Sequence, residues 1–98
     1  MVIRKEINGK SVKIWLEGRL ETSTAPELKK ELENILPDAE ELIFDFEKLQ
    51  YVASAGLRVI LSSQKKMAKQ GEMKIVNVSQ EVMDIFEVTG FVDILTIE

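Results

Sequence analysis

Residues 41–61 read ELIFDFEKLQYVASAGLRVIL, an apolar run followed by four small residues and the start of a helix. Within Glu41 to Glu47 the continuous run Leu42-Ile43-Phe44 marks a strand covered on both faces, which predicts a central place in a sheet. From Ser54 to about Lys69 the spacing becomes helical. Leu57, Ile60, Leu61, Gln64, Met67 and Ala68 fall on one side, and Gly71 stands where the helix should end. Between strand and helix lie Ala53-Ser54-Ala55-Gly56. Ser54 reads as an N-cap, its side-chain oxygen accepting from a free backbone N–H. Gly56 in the first turn lets a second backbone or a partner come close, or avoids a clash. A strand-loop-helix unit of this kind puts its loop at the carboxyl end of a strand, the usual functional edge of an open α/β sheet.

Toward the N-terminus, VIRKEI (2–7) and SVKIWLEG (11–18) read as two strands joined by Asn-Gly, a strong hairpin signal. Val12, Ile14 and Leu16 alternate with Lys13, Trp15 and Glu17, so one face is apolar and the other mixed. Trp15 on the mixed face reads either as partial cover for the sheet's outer side or as an interface anchor. TSTAPELKKELENILP carries a helix: Thr24 and Glu27 match the capping box, Pro26 lies in the first turn and Pro37 follows the last. Leu28, Leu32, Ile35 and Leu36 form its apolar stripe. Downstream, EMKIVNV (72–78) reads as a strand, and Ser79 as the cap of a helix facing Val82, Ile85 and Phe86 to the core. Gly90 stops that helix, and FVDILTIE reads as an edge strand. The order β-β-α-β-α-β-α-β predicts one α/β domain over residues 1–98: a mixed sheet of about five strands, joined by right-handed crossovers, with helices packed on it.

Composition narrows the function. With 45% hydrophobic and 31% charged residues, the 98-residue chain has the balance of a soluble globular domain. It has neither an apolar run of membrane-spanning length nor a signal-peptide core at its start, so the expected location is the cytoplasm, without membrane insertion. No Cys and no His occur, which removes thiol nucleophiles, zinc thiolates and the usual general base. A net charge of -4, with lysines spread among acids as solvated surface, argues against direct nucleic-acid binding.

The turn itself excludes more. A phosphate loop of the form G-x-x-x-x-G-K-[ST] is absent, and VASAG lacks the first glycine of G-x-S-x-G. Two readings of Ser54 stay open, a helix cap alone or a substrate that a partner enzyme modifies. Arg58, Val59, Ser62 and Lys66 share the exposed side of the helix that follows, and Val59 beside an arginine and a serine is a contact candidate.

Three segments in order, GRLETSTAPELKKEL, ELIFDFEKLQYVASAGLRVIL and EMKIVNVSQEVMDIFEVTGF, make the chain resemble the STAS domains of bacterial anti-sigma factor antagonists over nearly its whole length. In that family the central motif typically reads D-S-[ST]-G-L. Its first Ser is phosphorylated by an anti-sigma factor that is an ATP-dependent serine kinase; the unmodified antagonist binds the kinase and frees the sigma factor, and a phosphatase resets the modified form. The resemblance implies that Ser54 is the phosphorylated residue and that Gly56-Leu57 is the motif's Gly-Leu. It also implies a non-enzymatic module without a cofactor. Its kinase-facing surface would combine Glu21, Thr22 and Ser23 with Ala53, Ser54, Ala55, Gly56, Arg58, Val59 and Ser62. Three positions depart from the pattern: Ala53 replaces the usual Asp, Ala55 the usual Ser or Thr, and Glu21 a common Asp. Ala53 and Ala55 favour a second reading, a STAS subunit that stays bound, unphosphorylated, in a larger assembly such as a stressosome-like scaffold or a lipid-transport ATPase.

Overall fold

The first two strands, β1 (Val2–Asn8) and β2 (Ser11–Leu20), pair as an antiparallel hairpin in the computed structural model, which describes residues 1–98. The turn sits one residue later than Asn-Gly suggests. Asn8 pairs with Ser11, so the loop is Gly9-Lys10, and the positive φ falls on Gly9 at its first position. A type II′ turn asks for glycine there.

β3 (Glu41–Val52) is the central strand, parallel to β2 on one side and to β4 (Glu72–Val76) on the other. The sheet is therefore mixed and four-stranded, in the order β1-β2-β3-β4. β3 extends beyond Glu47, where its alternation stops being legible, because it carries extra residues relative to β2. Trp15 lies opposite Asp45 but Glu17 opposite Lys48; Gly18 lies opposite Leu49 but Arg19 opposite Tyr51. Each shift inserts one unpaired residue, a bulge. The buried positions accordingly step from Leu42, Phe44 and Phe46 to Leu49 and then to Val52. Both strands end level, with Leu20 beside Val52.

Burial of β3 on its two faces is unequal. Leu42, Phe44 and Phe46 are fully buried under the helices, whereas Ile43 on the other face is only half-buried. Asp45 shares that outer face and is buried as well. Its carboxylate accepts from the Glu47 N–H at 3.0 Å and from the Asn77 amide at 2.9 Å, with Lys13 Nζ at 3.9 Å. A buried carboxylate needs such partners. Trp15 lies on this face too, half-buried, with the Arg4 guanidinium 5.1 Å and the Lys13 ammonium 4.9 Å from its ring centroid.

Helix α1 (Ala25–Ile35) buries Leu28, Leu32 and Ile35, and Leu36 follows them into the core. The capping box does not form. Thr24 has helical dihedrals because the chain already turns at Glu21, whose carbonyl accepts from the N–H groups of Thr24 and Ala25. The Thr24 hydroxyl is thereby swung back onto the preceding loop. It accepts from the Glu21 N–H at 2.9 Å and donates to the Arg19 carbonyl at 2.7 Å.

Helix α2 (Ser54–Ala68) buries Gly56, Leu57, Ile60, Ser63 and Met67; Leu61 and Gln64 are half-buried and Ala68 is exposed. Helix α3 (Gln80–Val88) is capped by Ser79, whose side chain accepts from the Val82 N–H at 3.3 Å, and it buries Val82 and Phe86. The expected fifth strand is reduced to one bridge. After Gly90 the chain coils into a short 3-10 turn, Phe91–Asp93, and only Ile97 then reaches Ile75. Two 2.9 Å bonds, Ile75 N–H to the Thr96 carbonyl and Glu98 N–H to the Ile75 carbonyl, hold it there.

Two packing contacts carry testable weight. Phe46 lies between Phe44, at 5.4 Å between ring centroids, and Phe86, at 6.4 Å, and so couples the sheet to α3. Phe86→Ala should cost about 3–5 kcal/mol in urea denaturation, and Ile85→Ala distinctly less because Ile85 is half-buried. In α2, a Cβ on Gly56 would lie 2.6 Å from Leu20 Cγ and 3.0 Å from the Leu20 carbonyl oxygen. Gly56→Ala should therefore destabilise by about 1–3 kcal/mol through overpacking, although alanine is the better helix former.

Candidate functional site

The level ends of β2 and β3 place two loops side by side. The Ala53 N–H donates to the Leu20 carbonyl at 2.8 Å, which holds the turn before α2 against the loop Glu21–Thr24. Arg19 straps the same corner: its Nε donates to the Glu21 carboxylate at 2.8 Å, and its guanidinium stacks 4.4 Å above the Tyr51 ring. Thr22 and Ser23 are left exposed at the tip.

Ser54 is not the N-cap. Ala53 holds that position, with extended dihedrals and no side chain able to cap, and Ser54 is the first residue of α2. Its side chain is exposed beside backbone N–H groups that have no partner within the helix. The reason lies in Ala53: once its N–H is bound to Leu20, it is the last extended residue, and the chain becomes helical at Ser54. Gly56, expected among the partner-facing residues, is buried and faces Leu20. Its place in the motif is explained by close packing.

From this corner a groove of about 450 Å³ runs between α1 and α2. Thr22, Ala55, Arg58, Val59, Ser62 and Lys66 line it, so six of the residues singled out from sequence for a partner-facing surface lie together. Glu21 and Ser23 lie at the adjoining loop and Ser54 at the head of the helix, outside the groove lining. The α1 wall was not anticipated: Pro26, Lys29 and Glu33 face the same space, above buried Leu32 and Leu36. Their spacing of three and four residues would have aligned them, next to the apolar stripe.

The charges of the site are also more organised than scattered lysines suggest. α2 contains Arg58, Lys65 and Lys66 and no acid, whereas α3 contains Glu81, Asp84 and Glu87 and no base. Lys29, Arg58 and Lys66 line the groove against the single acid Glu33. The site is locally basic on a chain of net charge -4. No group of three or more Asp or Glu side chains is placed to hold a metal ion, and no helix is long and apolar enough to cross a membrane.

Comparison with known proteins agrees with this architecture. BtrV of Bordetella bronchiseptica is 32% identical over 84 residues, which span 84% of this chain and 72% of BtrV. The anti-sigma-B factor antagonist of Bacillus subtilis is 28% identical over 91 residues, 92% of this chain and 84% of that protein. Among solved structures, the anti-sigma factor antagonist SpoIIAA in its unphosphorylated form superposes with a TM-score of 0.85 at 20% identity, covering 99% of this chain and 88% of SpoIIAA. The Bacillus SpoIIAA in its phosphorylated form gives 0.77 at 19% identity, covering 99% and 91%. The family model for the STAS domain matches residues 2–98, and the chain belongs to the STAS domain family, in its anti-sigma factor antagonist branch.

Proposed function

We propose that this protein is a non-enzymatic switch that binds an anti-sigma factor serine kinase through the Ser54 corner and the α1–α2 groove. Phosphorylation of Ser54 would release that kinase, and a serine phosphatase would restore binding. The observation that carries the proposal is the placement of Ser54: an exposed hydroxyl at the head of α2, held level with the Glu21–Thr24 loop by the bond from Ala53 to Leu20. In the modification step, Ser54 Oγ attacks the γ-phosphorus of ATP, the bond from that phosphorus to the β,γ-bridging oxygen breaks, and ADP leaves with that oxygen. The hydroxyl proton passes to a base of the kinase or to solvent. In the reset step, water cleaves the phosphoester and releases inorganic phosphate. That SpoIIAA has been solved in both unphosphorylated and phosphorylated forms supports the reading.

The physical consequence falls on the surface. A phosphoserine adds about -1.5 to -2 charge. At the first position of α2 it meets free N–H groups and the positive end of the helix dipole, and Arg58 lies one turn further on the same helix. The fold tolerates it. A docked partner would have to desolvate the dianion or supply a cation, and about 3 kcal/mol lost at such a contact is about a hundredfold in affinity. The basic groove fits a partner surface that is acidic around an apolar contact for Val59.

Ala53 and Ala55 favour the second reading, a subunit that remains bound without modification in a larger assembly. Neither offers a carboxylate or hydroxyl beside the target. Affinity purification from native cells separates the two, because co-purification of a sigma-pathway kinase supports the switch and transporter or scaffold subunits support the alternative.

Incubation with the cognate kinase and Mg-ATP should add one phosphate at Ser54, read by intact mass and fragment spectra. Ser54→Ala should remain unmodified; a phosphate on that variant would assign the site elsewhere. In titrations against the same kinase, Arg58→Glu should weaken binding about tenfold or more by reversing a charge in the groove, while leaving the thermal midpoint within a few degrees. An equal affinity for the two proteins would remove the groove from the interface.

A further inference from the structure

β1 is an edge strand whose second side carries no partner, and its pattern suits a second copy of itself. Its pairing with β2 runs unbroken from Val2 to Asn8, without a bulge or a proline to blunt the edge. Because the hairpin loop has two residues, Asn8 and Ser11 form a hydrogen-bonded pair, and alternation makes Glu6, Arg4 and Val2 bond inward to β2 as well. The N–H and C=O groups of Ile3, Lys5 and Ile7 therefore point away from the sheet. These are polar main-chain groups at an open edge, where Val2 and Ile7 are 52% and 58% exposed.

We infer that β1 pairs antiparallel with β1 of a second copy about a twofold axis at Lys5, joining two sheets into one continuous sheet. Alternation allows only registers that place outward-bonding residues opposite one another. A twofold axis at Arg4 would set Arg4 against its own copy, and one at Glu6 would set Glu6 against its own copy; both are like-charge contacts. The axis at Lys5 pairs Arg4 with Glu6 twice on the outer face and Ile3 with Ile7 twice on the helix face, and it overlaps the whole strand. The exposed Ile7 is then covered. The one like pair, Lys5 with its copy, is offset within each protomer by Glu31, whose carboxylate lies 2.7 Å from Lys5 Nζ. The same edge charges that reject misaligned strands accept this register.

An interface made of one strand pair is small, so association is weak and concentration-dependent. The twofold axis reverses strand direction. The two Ser54 corners, each at the carboxyl end of β3, consequently lie at opposite ends of the joined sheet, and both stay open.

Sedimentation velocity over a concentration series, combined with residue-resolved amide exchange, tests the pairing. A dimer should grow with concentration, and the amides of Ile3, Lys5 and Ile7 should gain protection with it while those of Arg4 and Glu6 hold constant. Glu6→Arg should weaken association about tenfold or more, and the exchange Arg4→Glu with Glu6→Arg should restore it. Lys5→Pro, which deletes an N–H that has no partner in the monomer, should abolish the dimer while circular dichroism stays that of the folded domain. A wild-type chain that stays monomeric throughout, a dimer that survives Lys5→Pro, or a charge exchange that fails to restore association would each overturn the inference.

Discussion

The arrangement of the site depends on one contact, the seating of the α2 amino terminus on Leu20. The Leu20 carbonyl accepts the Ala53 N–H, and the Leu20 side chain occupies the space where any Cβ at position 56 would lie. Because that space is filled, the helix axis is brought against the end of β2, and the Ser54 turn comes level with Glu21–Thr24. A helix held further out would open the floor of the groove and separate the two loops. The residue that makes the site possible is thus Gly56, which is buried beneath it and touches no solvent-facing partner.

Reaching Leu20 requires β3 to arrive there, and this is where sequence alone was hardest to read. Hydrophobic periodicity locates a strand only while the period holds. From Leu42 to Phe44 the unbroken apolar run marks the strand without it, and the central placement of that segment was legible. The two bulges then change the spacing of buried residues to three, so Glu47 to Val52 has the polarity of a loop although its backbone stays paired. The Thr24 capping box failed for a related reason: the motif Thr-x-x-Glu is present, but a turn begun at Glu21 fixes the backbone of Thr24 before its side chain can cap. The C-terminal segment looked like a strand by composition and is held by a single bridge, since the 3-10 turn after Gly90 takes Phe91–Asp93 out of an extended path. Core residues with regular spacing, such as Leu28, Leu32, Phe44 and Phe86, were all readable.

Several of the residues singled out from sequence meet at one corner of the fold, while others that share it were not visible in the sequence. Ser54 and its neighbours stood out because so small a stretch between two strong elements has few structural uses. Sequence distance hid the α1 wall, since Pro26 and Lys29 meet Arg58 and Val59 only after β3 has carried the chain across the sheet and back. Net charge concealed the basic character of α2, because a sum over 98 residues averages it with the acidic α3. For a binding module the local field matters more than the sum, as screening confines surface electrostatics to about 8–10 Å at moderate ionic strength.

That local field also bears on Ala53. An Asp in its place would sit at the N-cap of α2, where a carboxylate can accept from the free N–H groups and interact favourably with the helix dipole. The same carboxylate would repel a phosphate on Ser54, the next residue. With Ala53 the unmodified turn loses a cap worth about 1 kcal/mol, yet a phosphate at Ser54 would have the N–H groups to itself, with no carboxylate on the preceding residue to oppose it. In a switch of the proposed kind, Ala53 would therefore shift the balance between the two states toward the modified one, whatever it did to the rate at which a kinase reached the hydroxyl. A protein built this way would hold a phosphate at lower free-energy cost than one with Asp at position 53, and returning it to the binding-competent form would fall more heavily on the phosphatase.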